Sequence, residues 1–142
     1  MPSDRTFHLL NGLHRLVVRA TRGRMGWRAA RMPVVELTTT GRRSGKAHTL
    51  LLTSPVQDGD TVVLVASRWG DDHHPAWFLN LRDHPEVEAV VAGGPRRAMT
   101  ARVATPEERA ALWPRATAVY PGYAQYQAKT TREIPLVLLE PR

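Results

Sequence analysis

The sequence predicts a mainly β chain of the α+β kind: an antiparallel barrel or strongly curled sheet of about six strands, with an N-terminal helix and short flanking helices. Two observations lead there. Six segments rich in Val, Thr and Leu follow one another at short turn spacing, and only three stretches carry helical signals. That order lacks the regular strand-helix alternation of a parallel sheet, so a Rossmann-type cofactor site is disfavoured. The length of 142 residues suits a single core, and 42% hydrophobic with 23% charged residues is an ordinary soluble composition. There is no cysteine, which excludes disulfides, thiolate catalysis and cysteine-ligated metals.

Taken in order, residues 1–33 are predicted as an amphipathic helix and linker, and residues 34–142 as the barrel. Ser3 or Asp4 can cap a helix over 3–22, where Phe7, Leu10, Leu13, Val17 and Ala20 recur at helical spacing and Arg15, Arg19 and Arg22 follow on another face. Such a helix can lie on an anionic membrane surface or simply pack its apolar stripe on the protein's own sheet. Residues 23–33 read as a linker because of Gly23 and Gly26. Strands are expected over 34–40, 48–56 and 61–67, the last two joined by a turn at Gln57-Asp58-Gly59-Asp60. A polar loop at 67–75 leads to a short helix at 76–83, and strands follow at 86–92 and 97–104. Thr105-Pro106-Glu107-Glu108 is a helix start, with a threonine cap, proline at the first position and glutamate at the third. That helix is predicted to run to about residue 119. Residues 120–127 are irregular or helical, and 134–139 supply a last strand with Pro135 near its start.

The densest chemistry lies between the first two strands, where Gly41-Arg42-Arg43-Ser44-Gly45-Lys46 joins three cations to two glycines. Glycine lets successive backbone N–H groups converge on one anion, and arginine forks bind phosphate oxygens bidentately. The nucleotide P-loop is a poor match. Only three residues separate Gly41 from Gly45, Ala47 stands where a magnesium-binding hydroxyl is needed, and a strand follows rather than a helix. The loop therefore reads as a grip for a phosphate ester without an obligatory metal, or as a solvated basic hairpin. The formal charge of +7 favours an anionic partner: a phosphorylated cofactor, an anionic membrane surface or nucleic acid.

Elsewhere, Asp71, Asp72, His73 and His74 form a polar loop whose adjacent histidines cannot easily share one metal ion. Ser44 and Ser67 lack the strand-turn-helix setting of a catalytic nucleophile. Tyr120, Tyr123 and Tyr126 are the only tyrosines, and at three-residue spacing they share one helical face. They line a pocket for a flat conjugated substrate or cap the barrel as an aromatic patch. Trp77 and Phe78 are candidate core anchors, with Asn80 free to hydrogen-bond a loop or a cofactor edge.

Several segments in this order resemble the deazaflavin-dependent nitroreductase family, a branch of the flavin- and deazaflavin-binding split β-barrel proteins. They are Thr-Thr-Gly-Arg-Arg-Ser-Gly-Lys at 39–46, Val-Ala-Ser-Arg at 65–68, Pro-Ala-Trp-Phe-Leu-Asn-Leu at 75–81, His-Pro-Glu-Val at 84–87, Tyr-Pro-Gly-Tyr-Ala-Gln-Tyr-Gln at 120–127 and Thr-Arg-Glu-Ile-Pro at 131–135. The resemblance implies a split β-barrel that binds coenzyme F420 and passes a hydride from its reduced form to an electron-poor acceptor such as a quinone or nitro-aromatic. It implies that Gly41, Arg42, Arg43, Ser44, Gly45, Lys46 and His48 hold the phosphate and acidic tail. Ala66, Ser67 and Arg68 then lie beside the deazaflavin, with Trp77 and Asn80 forming its pocket. Trp69, Tyr120, Tyr123 and Tyr126 fall on the substrate side, with Ser67, Tyr123 or Tyr126 donating a hydrogen bond or proton.

The chain departs from the family pattern at Ala47-His48 and Leu51-Leu52, where Pro-Arg and Pro-Leu are usual, and at Trp69, usually glycine. His48 in place of arginine removes one fixed charge near the phosphate, and Trp69 narrows the pocket or stacks on the ring. FMN or a haem-related ligand on the same fold, or a non-enzymatic basic binding module, are the competing expectations. The expected setting is cytoplasmic, as a monomer or homodimer, with residues 3–22 on the inner membrane surface where the acceptor is a lipid-soluble quinone. No nucleic-acid partner is expected, because no aromatics interleave the cations.

Overall fold

The computed structural model describes residues 28–29 and 31–142, with side chains from residue 31 onward. Eight strands and three helices fill that span. The strands are β1 (Arg28–Ala29), β2 (Met32–Thr40), β3 (Ala47–Thr53), β4 (Val56–Asp58), β5 (Thr61–Val65), β6 (Glu86–Val91), β7 (Arg96–Val103) and β8 (Leu136–Pro141). The helices are α1 (Ala76–Asp83), α2 (Pro106–Val119) and α3 (Gly122–Ala128). Every pairing is antiparallel, in the order β1-β2-β6-β7-β8-β5-β4, and β3 lies along the other edge of β2. This is the antiparallel split barrel the sequence predicts.

The strand count exceeds the expected six for local reasons. The predicted 48–56 strand breaks at Ser54-Pro55. Pro55 has no N–H to give a ladder, and the buried Ser54 hydroxyl instead reaches the Val56 and Val63 carbonyls at 2.9 and 2.6 Å. A separate β4 then returns to β5 through Gly59-Asp60, with Gly59 at φ 60, the position where a tight hairpin turn takes glycine. The other addition is β1, which pairs with Met32 and Pro33. Those two residues thus belong to the sheet, not to a linker. The predicted helix over 3–22 and its membrane surface lie outside the described residues. The last strand starts at Leu136, later than expected, because the Ile134 backbone is engaged by the side chains of Gln127 and Arg109.

Strands β5 and β8 are buried on both faces, and their alternation sorts side chains into two cores. Val62, Leu64, Val137 and Leu139 face one core, which also holds Leu37, Val87, Met99 and the buried face of α1. Val63, Val65, Leu136 and Leu138 face the other, closed by α2 and α3 through Ala116, Leu112, Trp113 and Tyr123. The capping box predicted at the start of α2 is present, with Thr105 Oγ1 accepting from the Glu108 N–H and the Glu108 carboxylate accepting from the Thr105 N–H. Helix α1 has the predicted bounds and buries Trp77, Phe78 and Leu81 under the β2 and β7 side of the barrel. At about 1.5–3 kcal/mol for each large apolar side chain buried, those three anchors fix the helix that forms one wall of the site.

Candidate cofactor site

The basic loop is closed by its own backbone. Thr40 and Ala47 end the β2–β3 ladder, the Gly41 N–H donates to the Lys46 carbonyl at 2.8 Å, and the Gly45 N–H donates to the Gly41 carbonyl at 2.9 Å. Gly45 turns the chain at φ 71 in open space. Gly41 has a different reason to be glycine. A Cβ there would sit 2.6 Å from Ser44 Oγ and 2.8 Å from His48 Nε2, so the serine and the imidazole close over bare backbone. Arg43, Ser44, Lys46 and His48 remain exposed around that point.

Buried Asn80 ties this loop to α1. Its Oδ1 accepts from the Arg42 backbone N–H at 3.2 Å and from Arg42 Nη1 at 3.0 Å, while its Nδ2 donates to Thr39 Oγ1 at 3.4 Å. Between loop and helix lies a cleft of about 340 Å³. Gly41, Arg42, Arg43, Ser44 and His48 line one side, Pro75, Ala76, Trp77 and Asn80 the other, with Thr39, Thr49 and Leu50 along the strands and Arg68 at the end.

Residues 66–74 supply that end. After β5 the chain makes a 3-10 turn, Arg68–Gly70, in which Arg68, Trp69 and Gly70 all have positive φ, at 44, 56 and 83. Left-handed backbone in two consecutive side-chain-bearing residues is costly and persists only where the surroundings dictate it. Here they do. Gly70 lies against α3 so closely that a Cβ would meet the Tyr126 carbonyl oxygen at 2.6 Å. Arg132 reaches back across the turn from the segment before β8, giving Nε to the Asp71 carbonyl at 2.7 Å and Nη2 to the Ser67 carbonyl at 2.9 Å.

The three tyrosines form one cluster, with ring centroids 4.9 to 6.4 Å apart. Tyr120 and Tyr126 are half-buried with their hydroxyls 3.3 Å apart. Tyr123 is different, at 6% exposed and packed in the second core with its hydroxyl 3.5 Å from Met32 Sδ. Burial pushes the Tyr123 and Tyr126 phenols up to about 12, so both stay protonated donors at neutral pH.

Of the predicted cofactor residues, the fold brings Gly41, Arg42, Arg43, Ser44, His48, Arg68, Trp77 and Asn80 onto one cleft. Gly45 and Lys46 belong to the same loop without lining the cleft, and Ala66 and Ser67 lie one step behind Arg68, Ala66 fully buried. Trp69 and the tyrosines are not on the cleft wall, and of the three donors proposed from sequence Tyr123 is a core residue. Asn80 takes the first of its two expected roles, hydrogen-bonding the loop through Arg42, with Thr39 as a further partner, while it also lines the cleft. Sequence reasoning gave no role to Arg132, although its Thr-Arg-Glu-Ile-Pro segment carries part of the resemblance. Nor did it foresee Pro75, Ala76 and Leu50 as cleft walls, which follow only from the register of β3 and the seat of α1.

The donor set suits coenzyme F420, with exposed cations for its phosphate and acidic tail and an apolar, tryptophan-lined cleft for its flat rings. Fold and cleft together define a split-barrel redox protein for an anionic cofactor of this type. The family model for F420H(2)-dependent quinone reductase matches residues 12–141. An F420H(2)-dependent quinone reductase of Mycobacterium tuberculosis is 38% identical over 135 residues, covering 92% of this chain and 89% of that protein. Among solved structures, an F420-H2 dependent reductase superposes with a TM-score of 0.68 at 38% identity, over 76% of this chain and 94% of that one. A chain described as a domain-swapped dimer gives 0.67 at 34% identity, over 92% and 98%. The chain belongs to the F420H(2)-dependent quinone reductase family, and is an oxidoreductase with coenzyme F420 as its cofactor. That membership replaces FMN, haem-related ligands and the non-enzymatic binding module as readings of the cleft. No described helix is long and apolar enough to cross a membrane.

Proposed function

We propose that the chain reduces a quinone at the mouth of this cleft, with Arg42, Arg43, Ser44 and Lys46 gripping the anionic end of the coenzyme and Trp77, Pro75 and Leu50 bounding its rings. The observation that carries the reading is the join between loop and helix: Asn80 binds Arg42 twice, so the cation grip and the apolar wall move as one unit. When bound, the reduced coenzyme supplies a hydride, two electrons and one proton; the quinone takes a second proton on its oxygen to leave as the quinol. The chain's own work is to orient and to donate. Arg68, at the end of the cleft, offers positive charge where the acceptor oxygen becomes negative. Tyr120 and Tyr126, within hydrogen-bond distance of each other, are the donors to that oxygen, and buried Tyr123 holds their rings in place. Ser67 lies beside Arg68 as an alternative hydroxyl, and Trp69 belongs to the turn that packs on α3. Nitro-aromatics share the electron-poor chemistry and are a second acceptor class. A lipid-soluble quinone would be met at an anionic surface through residues 3–22, and a homodimer accords with the related domain-swapped structure.

Titration of the purified protein with coenzyme F420 and, separately, FMN, followed by tryptophan fluorescence at two salt concentrations, tests the cofactor side. Binding of the deazaflavin alone, weakened by salt, is expected, and preferential FMN binding would overturn the reading. For the acceptor side, Tyr126→Phe should lower kcat/KM for a naphthoquinone about tenfold with coenzyme affinity unchanged. The opposite pattern would move the tyrosines to the coenzyme.

A further inference from the structure

Arg132 is the least expected cation in the molecule. It is half-buried, lies more than sixty residues from the turn it touches, and uses all three guanidinium nitrogens. Nε donates to the Asp71 carbonyl at 2.7 Å, Nη2 to the Ser67 carbonyl at 2.9 Å, and Nη1 to the Ala66 carbonyl at 3.3 Å and to His74 Nδ1 at 3.1 Å. An arginine has no lone pair to offer, so His74 must accept at Nδ1 and carry its proton, when neutral, on Nε2. The turn 66–71 is therefore wound around one cation, and the next residue beyond His74 is Pro75, on the opposite wall of the cleft.

We infer that Arg132 is a positioning residue for the coenzyme site: it holds the strained Arg68–Trp69–Gly70 turn and the start of α1 in register, so that Arg68 points into the cleft. Three observations support this. Isolated left-handed backbone at Arg68 and Trp69 would relax without an external hold, and Arg132 grips the carbonyls on both sides of it, at Ser67 and Asp71. The fork geometry is required, since lysine would bring the same charge on a single nitrogen unable to span carbonyls shared among three. Arg132 is itself fixed from behind, its carbonyl accepting from Gln127 Nε2 at 2.7 Å. Gln127 Oε1 in turn accepts from the Ile134 N–H and from Arg109, which links the hold to the tyrosine helix.

The inference rests on the reading of the cleft given above, and the test separates the two. Arg132→Lys is compared with Arg109→Lys, which disturbs the same 130–135 segment from its other side by removing donors to the Ile134 carbonyl. Hydrogen exchange is measured on the full-length, coenzyme-free protein, where the Gly70 and Asp71 amides report the turn through their bonds to the Ser67 and Arg68 carbonyls. Arg132→Lys is expected to speed exchange in peptides covering 66–74 about tenfold with β2 and β6 unchanged, to raise the KM for reduced coenzyme about tenfold, and, through the displaced Arg68 charge, to lower kcat as well. Arg109→Lys should lower Tm without that KM change. Unchanged exchange at 66–74, or an equal coenzyme KM increase in both variants, would overturn the assignment. If the wild-type protein fails to bind coenzyme F420, the proposed function falls, and exchange at 66–74 alone then upholds or overturns the hold of Arg132 on the turn.

Discussion

Residues 41–46 and residues 66–74 both shape the cleft, yet their conformations come from different distances along the chain. The first loop closes on itself, with hydrogen bonds between Gly41, Gly45 and Lys46, and it needs only one brace from outside, Asn80. The second has three consecutive positive φ angles and is held by Arg132 and by close packing on α3. Self-closure leaves Arg43 and Lys46 of the first loop exposed and available to an anion, while Arg42 is partly held by Asn80. Remote tethering makes the second loop a rigid rim whose shape depends on the whole barrel being formed.

The sharpest way to break that comparison is at the cations. Arg42→Ala combined with Lys46→Ala should weaken coenzyme F420 binding about a hundredfold, since charge-assisted hydrogen bonds contribute about 1.5–3 kcal/mol each and exposed ones less. Tm should fall only modestly, because the Arg42 backbone N–H keeps its bond to Asn80 when the side-chain bond is lost; unchanged affinity in a fluorescence titration would remove the loop from the site. Next come the two glycines. Gly70→Ala must keep a φ of 83 and place a methyl against the Tyr126 carbonyl, so it should cost about 3 kcal/mol in urea unfolding. Gly45→Ala keeps a similar φ with nothing within 4 Å, and should cost about 1 kcal/mol. Equal costs would mean that tethering to α3 adds nothing.

The smallest expected effect is on pH. Burial, with repulsion from Arg132 and Arg82, holds the His74 pKa below its ordinary 6.5. The folded chain then binds fewer protons than the unfolded chain, so this contribution to stability is complete above about pH 6.5 and is lost as pH falls through the folded value. His74→Gln keeps an acceptor for Arg132 but does not titrate. Its Tm should therefore fall less than wild type between about pH 7.5 and pH 5.5, and parallel curves would argue against the His74 contact.

Much of the first loop was legible because its chemistry is contiguous. Glycines, arginines and lysine within six residues define a turn and a charge that no tertiary contact needs to create. Helix α1 was equally plain from its apolar positions, and the cap of α2 from Thr105 and Glu108. The tyrosine spacing correctly predicted a shared cluster, but spacing cannot say which ring faces the core. Tyr123 is buried because α3 docks with that edge against Met32 and β8, a choice made by packing. Asn80 was legible as a hydrogen-bonding side chain for a loop or a cofactor edge, but which loop it binds was not, because its partners Thr39 and Arg42 lie some forty residues earlier in the chain.

The sequence by itself determined an antiparallel barrel and a basic loop at the β2–β3 turn, both read within short windows, and, from the order of several short motifs, a family whose cofactor is coenzyme F420. Only the tertiary structure decided that Pro75 and Leu50 wall the cleft, that Tyr123 serves the core, and that Arg132 organises the turn beside Arg68. The physical reason is that local propensity and charge are properties of neighbouring residues, whereas burial and hydrogen-bond partnership are settled by which distant segments the closed sheet brings within three ångströms of each other.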